Sequence, residues 1–313
     1  MTMIAKSLWH LDKLITTIID EEIYPSGDVN VLINSIYSSI SNGTESLVCN
    51  GLVPNSIKQN MIVNYMGGSF DFPIKYGYSL VGETNDGRYV HLMHPHQDKL
   101  FAREADLFTI PANLPLKRAT LLSNMETTIN AVWDAKLNGS EKVLIIGFGG
   151  IGALLALTVK QYTGINPSVY ELEVNKLTKA KDLGFLSDNG SFDVIFHTSS
   201  SNEGLQFAID HVRKDGSVIE LSWYGNKQLN LNLGGNFHYN RVKLISSQVS
   251  TISPFAPIQG YQERKEIACQ LLFNNVFDEI ISQEILFDES PAYFDNLKLT
   301  GNKNAFNTII NYS

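Results

Sequence analysis

Three glycines, Gly147, Gly149 and Gly152, have the G-x-G-x-x-G spacing of a phosphate-binding turn. They follow the apolar run 142–146, which predicts a buried strand, and open the apolar stretch 151–162, which predicts a helix. In this context the first glycine permits a tight turn, the second lets the backbone approach a pyrophosphate, and the third lets helix pack on strand. The helix N-terminus adds free N–H groups and a positive dipole end. The predicted contacts to a dinucleotide come from Gly147, Phe148, Gly149, Gly150, Ile151 and Gly152.

An acidic residue after the next strand, roughly 20 residues on, is expected to bind the ribose hydroxyls of the dinucleotide. The segment 168–173 offers two, and we expect Glu173 to take this role because Glu171 falls within the predicted strand. A carboxylate there repels a ribose 2′-phosphate, so NAD(H) is favoured over NADP(H), although Lys176 and Lys179 moderate the preference. Two alternatives stay open. One is a glycine turn without a ligand, and the other is a methyltransferase, whose cofactor site also uses a glycine-rich turn and an acid on the second strand.

The densest group of ionisable side chains lies in the segment 91–98, which holds His91, His94 and His96. Histidine titrates near neutral pH and therefore suits proton transfer beside a reacting oxygen. Pro95 makes this segment a loop, and the spacing is poor for a metal site, so we predict no metal here. We expect His94 or His96 to line a pocket, whereas a solvated loop position accounts best for His91.

The elements that must position these residues fall into two parts. From Val29 to about Pro111, short β-rich runs alternate with turns, which predicts an antiparallel, barrel-like β domain. Residues 119–136 predict a helix, after which strand-like and helical stretches alternate. Such alternation implies parallel strands joined by crossovers, hence a doubly wound α/β sheet. The segment between Leu183 and Asp193 is too short for a strand, a helix and a loop, so one element of the usual sheet is cut down or missing there.

The bulk properties exclude several classes of protein. A chain of 313 residues with 43% hydrophobic and 18% charged residues has an ordinary globular composition, and its net charge of −8 argues against a nucleic-acid partner. Two cysteines cannot build a disulfide scaffold or a four-cysteine zinc site, so we expect both as buried free thiols. No apolar run is long enough to cross a bilayer, and no cleavable signal is visible at the N-terminus. We therefore expect a cytoplasmic protein without a membrane partner.

Three further segments carry a resemblance that covers most of the chain. The segment 39–45 (SISNGTE) is similar to G-x-C-G-T-D, 76–82 (YGYSLVG) to G-H-E-x-x-G, and 124–128 (NMETT) to C-x-x-x-T. With the glycine turn they resemble the medium-chain dehydrogenase/reductase superfamily, which holds zinc alcohol dehydrogenase-like proteins and zinc-free quinone reductase-like proteins. The resemblance implies a Rossmann domain over residues 121–257 and a GroES-like antiparallel β catalytic domain over residues 1–120 and 258–313. It also implies an active site in the cleft between them and a homodimer.

The sequence departs from this family where zinc is bound. The positions of the Cys, His, Glu and Cys ligands hold Ser41 or Asn42, Tyr78, Ser79 and Asn124. None of these is a good zinc ligand, so the comparison implies a zinc-free member.

By the same resemblance, Tyr78 stands where the zinc-binding histidine would be, and it is a candidate for proton transfer together with His94 and His96. A packed aromatic ring with a satisfied hydroxyl is the alternative for Tyr78. Thr44 aligns with the hydroxyl residue of the family's proton relay, although Asn42 and Gly43 beside it are also a turn signal. Thr128 is the residue of its motif that would hydrogen-bond the nicotinamide or the substrate.

Together these features predict a zinc-free, NAD(H)-dependent dehydrogenase or reductase. Its substrate would be a small molecule that carries an alcohol, a carbonyl or a conjugated carbonyl group. The alternative from another class is a non-catalytic dinucleotide-binding or redox-sensing protein on the same fold.

Overall fold

The computed structural model describes residues 2–188, 190–301 and 305–313, and it forms two compact units. Unit 1 comprises Met1–Ser123 and Ile281–Ser313, and unit 2 comprises Asn124–Ile280. The strands are β1 (Met3–His10), β2 (Thr16–Ile23), β3 (Val29–Ile40), β4 (Gly67–Gly68), β5 (Ile74–Lys75), β6 (Leu80–Thr84), β7 (Tyr89–Leu92), β8 (Lys99–Arg103), β9 (Phe108–Thr109), β10 (Val143–Ile146), β11 (Ser168–Tyr170), β12 (Phe192–His197), β13 (Val212–Glu220), β14 (Lys243–Ser246), β15 (Ile281–Leu286) and β16 (Asn307–Asn311). The α-helices are α1 (Asn42–Cys49), α2 (Leu116–Ala119), α3 (Leu122–Ala135), α4 (Gly150–Thr163), α5 (Val174–Asp182), α6 (Asn202–His211), α7 (Asn236–Tyr239), α8 (Tyr261–Leu271) and α9 (Ser290–Thr300). The 3-10 helices are Asn55–Met61, Glu104–Asp106, Asn275–Ile280 and Phe287–Glu289.

Unit 1 is built from two mainly antiparallel sheets, as the β-rich runs predicted. One has the strand order β2-β1-β5-β4, and the other has the order β15-β16-β3-β6-β7-β9 with β8 also paired to β3. Strands β6 and β7 form a hairpin whose turn holds Asn85, Asp86 and Gly87, and Gly87 has the positive φ (80°) that such a turn requires. The last strand, β16, pairs antiparallel with β3, so the C-terminal segment belongs to the same sheet as the N-terminal half.

Unit 2 holds a parallel sheet with the order β11-β10-β12-β13-β14. Strand β10 is buried along its whole length, as expected for a strand covered on both faces by helices. The predicted α/β class with a doubly wound sheet is confirmed. The shortened segment after α5 has the predicted consequence, because β11 forms the edge of the sheet and no strand lies outside it among the described residues.

The chain returns to unit 1 at Ile281, later than the boundary at residue 258 that the sequence predicted, and it leaves unit 1 after Ser123 instead of residue 120. Helix α8 and the 3-10 helix Asn275–Ile280 both pack on α4. Their buried side chains, such as Ala268 and Phe277, therefore belong to the core of unit 2. This placement could not be predicted, because a helical pattern does not specify which sheet the helix covers.

Two local predictions differ from the structure. The helix predicted over 119–136 is split into α2 and α3, which are separated by Thr120 and Leu121. Asn42 and Gly43, which suggested a turn, begin helix α1 instead. This second difference matters for the site, because residues 41–45 lie at the N-terminal end of α1.

Both cysteines are free and buried, as predicted. Within the described part of the chain, no helix has the length and apolar character needed to cross a membrane.

Candidate functional site

The glycine turn of unit 2 connects β10 to α4, as its spacing predicted. Gly147 has a φ of 91°, and a Cβ added there would lie 2.9 Å from the Ser199 backbone nitrogen. A Cβ at Gly152 would lie 1.9 Å from the Gly147 carbonyl oxygen. These two positions are therefore closed by the protein's own backbone, and the tight turn and the helix contact both require glycine.

Gly149 is different, because its missing side chain faces open space. The nearest atom to an added Cβ is the Lys176 Nζ, 4.0 Å away, and the φ of −82° suits any residue. Gly149 is the N-cap of α4, whose first-turn N–H groups a helix cannot satisfy internally. The turn thus leaves a gap beside a positive helix end with an ammonium group nearby, which is suited to a phosphate.

Phe148, Gly150 and Ile151 complete the turn in different ways. The Phe148 ring is fully buried and packs against Phe185 with 5.9 Å between ring centroids, so it anchors the turn. Gly150 and Ile151 are partly exposed and lie in the first turn of α4. The buried Phe148 side chain therefore anchors the turn, and the turn is accessible at the N-terminal end of α4.

The acidic side chain next to the glycine turn is Glu171, not Glu173. Strand β11 ends at Tyr170, so the expectation that Glu171 lies within the strand is wrong. The Phe148 N–H donates to Glu171 Oε2 at 2.7 Å, while the N–H groups of Leu172 and Glu173 donate to Oε1 at 2.7 and 2.9 Å. Glu173 itself is exposed at the N-cap of α5 and makes no capping bond.

The two lysines expected near the ribose have separate environments. Lys179 Nζ lies 2.5 Å from Glu279 Oε2 and is held by that ion pair. Lys176 is the one whose ammonium approaches the glycine turn. The Lys176 ammonium group therefore supplies the positive charge near Gly149.

Thr128 is not on a ligand-facing surface. Its side chain is fully buried, and its hydroxyl donates to the Met125 carbonyl at 3.0 Å and lies 2.9 Å from the Thr158 hydroxyl. It therefore joins α3 to α4, and the predicted contact with cofactor or substrate does not fit this position.

A polar cluster outside the predicted catalytic residues stands at the carboxyl ends of β12 and β13. His197 Nδ1 lies 2.8 Å from Glu220 Oε2, and the Tyr224 hydroxyl donates to the same oxygen at 3.0 Å. Burial and the neighbouring Glu220 carboxylate raise the pKa of Tyr224. Ligands of doubly wound sheets bind at this edge. Glu220 is the last residue of β13 and follows the apolar residues Val218 and Ile219.

In unit 1, the Tyr78 side chain contacts residues at the start of α1. Its phenol hydrogen-bonds the side chains of Ser41 and Thr44, and the residue is partly exposed. Burial of the hydroxyl and the nearby Glu45 carboxylate raise the pKa of Tyr78 to about 12, despite those two hydrogen bonds. The structure thus brings together two predicted residues, Tyr78 and Thr44, and keeps the phenol protonated at neutral pH.

His96 lies behind this group and not on an exposed surface. Its Nε2 is 2.9 Å from Glu45 Oε2, and its Nδ1 is 2.8 Å from the Ser38 hydroxyl, which in turn lies 2.9 Å from the Tyr312 hydroxyl. Glu45 also accepts the Ser41 N–H at 2.7 Å. His96 and Glu45 are both buried, so the pair fixes the N-terminal end of α1 on which Ser41 and Thr44 lie.

His94 and His91 are buried as well, and neither is a solvated loop residue. The His94 Nδ1–H donates to the Pro95 carbonyl at 2.8 Å, and burial lowers the pKa of His94 to about 3. It is neutral at pH 7 and therefore poorly suited to donate a proton. His91 lies on β7 with its Nε2 3.0 Å from the Ser79 hydroxyl.

The depressed pKa of His94 predicts a pH-dependent stability. The pKa of His10 is also lowered to about 3 by burial, so both side chains bind protons more readily unfolded than folded. Their stabilisation is present above pH 6.5 and is lost as the pH falls from there toward 3. Between pH 7 and 5 each should cost about 2 kcal/mol of unfolding free energy.

Urea denaturation at pH 7 and pH 5 measures this loss. His94→Gln should reduce the difference between the two pH values by about 2 kcal/mol, whatever its effect on stability at pH 7. The exposed His238 offers a matched control, since His238→Gln should keep the wild-type difference. An unchanged difference in His94→Gln would mean that His94 is not the buried neutral group described.

The residues at the family's zinc-ligand positions do not fit a zinc ion. Tyr78 is a neutral phenol, and the Ser79 hydroxyl donates to the Thr120 carbonyl at 2.6 Å. Zinc sites use thiolate, imidazole or carboxylate donors. No cluster of three or more His, Cys, Asp or Glu side chains that could hold a metal occurs in residues 2–188, 190–301 and 305–313.

Comparison with known proteins finds similar sequences, while no family model matches the chain. It is 30% identical over 242 residues to an uncharacterized zinc-type alcohol dehydrogenase-like protein of Haemophilus influenzae, which covers 69% of this chain and 66% of that protein. It is 22% identical over 205 residues to D-guloside 3-dehydrogenase of Shigella flexneri, and the aligned part spans 59% of the length of each.

Solved structures share the fold over nearly the whole chain. L-idonate 5-dehydrogenase of Escherichia coli superposes with a TM-score of 0.78 at 14% identity, covering 100% of this chain and 99% of that one. A short chain alcohol dehydrogenase of E. coli CFT073, solved with NADH, has a TM-score of 0.77 at 13% identity and covers 99% of both. A putative zinc-binding dehydrogenase of Sinorhizobium meliloti, bound to NADP, has a TM-score of 0.77 at 14% identity and covers 99% and 100%.

Proposed function

The chain belongs to the medium-chain dehydrogenase/reductase superfamily, and from this we propose that it is a zinc-independent oxidoreductase that uses NAD(H). Its substrate is a small alcohol, carbonyl or conjugated carbonyl compound. The observation that carries the proposal is the glycine turn, in which Gly147 and Gly152 are closed by backbone while Gly149 is open beside a helix N-terminus. Membership of this superfamily leaves no support for the methyltransferase alternative.

Bound at this turn, a nicotinamide dinucleotide supplies or accepts the hydride. The N–H groups at the start of α4 would hold the pyrophosphate, and Lys176 Nζ would add a countercharge, since it already lies near Gly149. Binding of NADH and of NADP by the two structural neighbours agrees with this assignment.

Glu171 is the residue that we assign to the ribose of the adenosine half. Its carboxylate lies directly after β11 and is fixed by three backbone N–H groups. Each carboxylate oxygen has two acceptor sites, so Glu171 can accept ribose hydroxyls as well. The fixed negative charge would repel a 2′-phosphate, and this favours NAD(H) over NADP(H).

Fluorescence titration with NADH and NADPH tests the assignment. Glu171→Gln should weaken NADH binding by about 10- to 100-fold, because hydrogen bonds to a charged group contribute about 1.5–3 kcal/mol. It should also narrow the preference for NADH over NADPH. Glu173→Gln removes the same charge two residues away and should leave both constants unchanged. If Glu173→Gln shows the larger effect, the ribose role returns to Glu173; if neither dinucleotide binds the wild-type protein, the proposed function fails.

Unit 1 supplies the group that donates or accepts the proton. With no zinc to stabilise a developing alkoxide, that oxygen needs a hydrogen-bond donor, and the protonated Tyr78 phenol can act as one. Ser41 and Thr44 orient the phenol, and the buried Glu45–His96 pair holds the helix end that carries them. The name of the Shigella relative suggests that a screen for substrates should include sugars and polyols beside aldehydes, ketones and enones.

A further inference from the structure

A strand-to-helix turn in unit 2 carries a serine hydroxyl that the proposed hydride and proton transfers do not use. Strand β12 ends at His197, helix α6 begins at Asn202, and the exposed Ser199 lies on the turn between them. The next residue, Ser200, has a φ of 52°, in the left-handed region that a serine rarely adopts. Serine nucleophiles at the carboxyl end of a parallel sheet occupy a sharp turn of this kind, which leaves the hydroxyl accessible.

The Ser199 hydroxyl ends a chain of hydrogen bonds that begins at Glu220. Ser199 Oγ lies 2.7 Å from His197 Nε2, and His197 Nδ1 lies 2.8 Å from Glu220 Oε2. The carboxylate also accepts the Ser222 N–H at 2.7 Å and the Tyr224 hydroxyl at 3.0 Å. A carboxylate only accepts hydrogen bonds, so Nδ1 carries a proton, and in the neutral imidazole Nε2 is then the acceptor for the Ser199 O–H. The histidine side chain is fully buried, so water does not compete for either bond.

Gly204 makes room for the bond between serine and histidine. A Cβ added at Gly204, in the first turn of α6, would lie 2.5 Å from Ser199 Oγ and 2.7 Å from His197 Nε2. Ser201, the N-cap of α6, accepts the Gly204 N–H at 2.9 Å, and its Oγ lies 2.8 Å from Ser199 Oγ. Ser201 can therefore donate its own proton to Ser199 Oγ, which leaves the Ser199 proton directed at the imidazole.

The geometry points to a second activity of this chain, the cleavage of carboxylic esters by a serine–histidine–glutamate triad. Ser199 is its nucleophile, His197 its general base, and Glu220 the positioning residue that orients the imidazole. Such triads are defined by the geometry and roles of their members, whose order along the chain differs between folds.

The reaction needs no dinucleotide, metal or other co-reactant besides water. In acylation, His197 Nε2 takes the Ser199 proton while Oγ bonds to the acyl carbon, and the same proton passes to the alcohol as its C–O bond breaks. A water molecule then attacks the acyl-serine and gives its proton to Nε2, which returns it to Oγ as the carboxylic acid leaves. Failure of this activity would therefore leave the proposed oxidoreductase function untouched.

The donors near the turn indicate which esters are cleaved. The N–H of the residue after the nucleophile usually binds the oxyanion, but the Ser200 N–H donates to the Ser222 hydroxyl at 3.1 Å. The N–H groups of Asn202 and Glu203, which begin α6, have no acceptor within the helix and are next along the chain. Loss of one oxyanion donor costs about 10²–10³ in rate, so we expect the site to cleave aryl esters, whose leaving groups are good, and not alkyl esters.

Hydrolysis of p-nitrophenyl acetate and labelling by a fluorophosphonate test the nucleophile. Wild-type protein should hydrolyse the ester at least about tenfold faster than Ser199→Ala, since the variant lacks the group that is acylated. Peptide mass spectrometry should locate the phosphonate on Ser199. Ser200→Ala removes the exposed hydroxyl of the next residue and should keep both the hydrolysis and the label. Equal hydrolysis by wild-type protein and Ser199→Ala, no label, or a label on another residue would overturn the inference.

Ser199→Cys separates activation by the triad from simple packing. An ordinary thiol, with a pKa of about 8.5, is almost entirely protonated at pH 6, whereas a thiol paired with an imidazole reacts there as a thiolate. Iodoacetamide should therefore alkylate Ser199→Cys at pH 6 at least about tenfold faster than Ser200→Cys, whose thiol would lie on the same turn. Cys49 and Cys269 are buried and should not compete.

Glu220→Gln, added to Ser199→Cys, tests the positioning residue by the same alkylation rate. An amide in place of the carboxylate can hold the imidazole in the wrong tautomer, so the rate advantage over Ser200→Cys should be lost. An advantage kept in the double variant would remove Glu220 from the triad. Equal alkylation of Ser199→Cys and Ser200→Cys would show that His197 does not activate position 199, and the inference would fail.

Discussion

Gly149→Val is expected to abolish dinucleotide binding in a protein that still folds. The fold should tolerate the change, since Gly149 has an ordinary φ and an added Cβ would meet only the end of the Lys176 side chain. The valine would instead fill the gap beside the N-terminus of α4. Loss of two charge-assisted hydrogen bonds to the pyrophosphate should raise the Kd for NADH by about 10²–10⁴.

Gly260→Val is the matched control. Gly260 is also an N-cap glycine, at the start of α8, and has no atom within 4 Å of an added Cβ. Both variants therefore carry the same change at a helix start and should have similar melting temperatures. Isothermal titration calorimetry should find NADH binding lost in the first and kept in the second. Wild-type affinity in Gly149→Val would place the pyrophosphate somewhere other than this turn.

The glycine turn was predictable because every element of its pattern lies within one short stretch of sequence. A buried strand, three glycines and an apolar helix follow each other within about 20 residues, and each step is local. The shortened edge of the sheet was equally predictable, because the chain from Leu183 to Asp193 is too short for a strand, a helix and a loop, and its described residues before β12 form no strand. Local spacing was not always sufficient, since the helix predicted over 119–136 is split into α2 and α3.

The end of β11 was misjudged because the end of a strand is decided by its partner. Strand β11 pairs with β10 over three residues, from Ser168 to Tyr170, and the chain then turns away. The β-like character of the sequence continues to Glu173, so nothing local indicated that Glu171 was already free of the sheet. Thr128 failed for a related reason, because the position of Thr158 on a neighbouring helix decides which face of α3 is buried.

The histidines show the same limit in the proton-transfer site. Glu45 and His96 are 51 residues apart, and their pairing depends on the way α1 and the 91–98 segment meet. Sequence composition identified His94 and His96 as titratable but could not show that both are buried. Burial removes His94 from consideration as an acid at neutral pH and makes His96 a support for Glu45.

Tyr78→Phe is therefore expected to lower turnover by about 10²–10⁴, the usual contribution of a general acid or base. The phenol is protonated well beyond neutral pH, so it can donate to the oxygen of a carbonyl undergoing reduction. Affinity for NADH should barely change, because the dinucleotide-binding residues belong to unit 2. Reduction should keep its rate up to about pH 9, while oxidation of the alcohol, which needs the deprotonated phenol, should become faster as the pH rises toward 12.

Tyr76→Phe is the control for Tyr78→Phe. Tyr76 is a buried neighbour with its ring centroid 6.1 Å from that of Tyr78, so the variant removes the same atom without touching the proposed donor. Steady-state kinetics should give kcat for Tyr76→Phe close to that of the wild-type protein. Full activity in Tyr78→Phe would pass the proton role to another residue.

The metal content decides whether Tyr78 acts alone. Protein purified without a His-tag should contain well below one zinc per chain, because the hydroxyl groups around Tyr78 are neutral and are poor zinc ligands. Dialysis against a chelator should therefore leave turnover unchanged. Stoichiometric zinc with activity lost on chelation would return the oxygen-polarising role to a metal. Tight NADH binding with no turnover of any alcohol, aldehyde, ketone or enone would instead favour the redox-sensing alternative, since the dinucleotide site of unit 2 would then work without the chemistry assigned to unit 1.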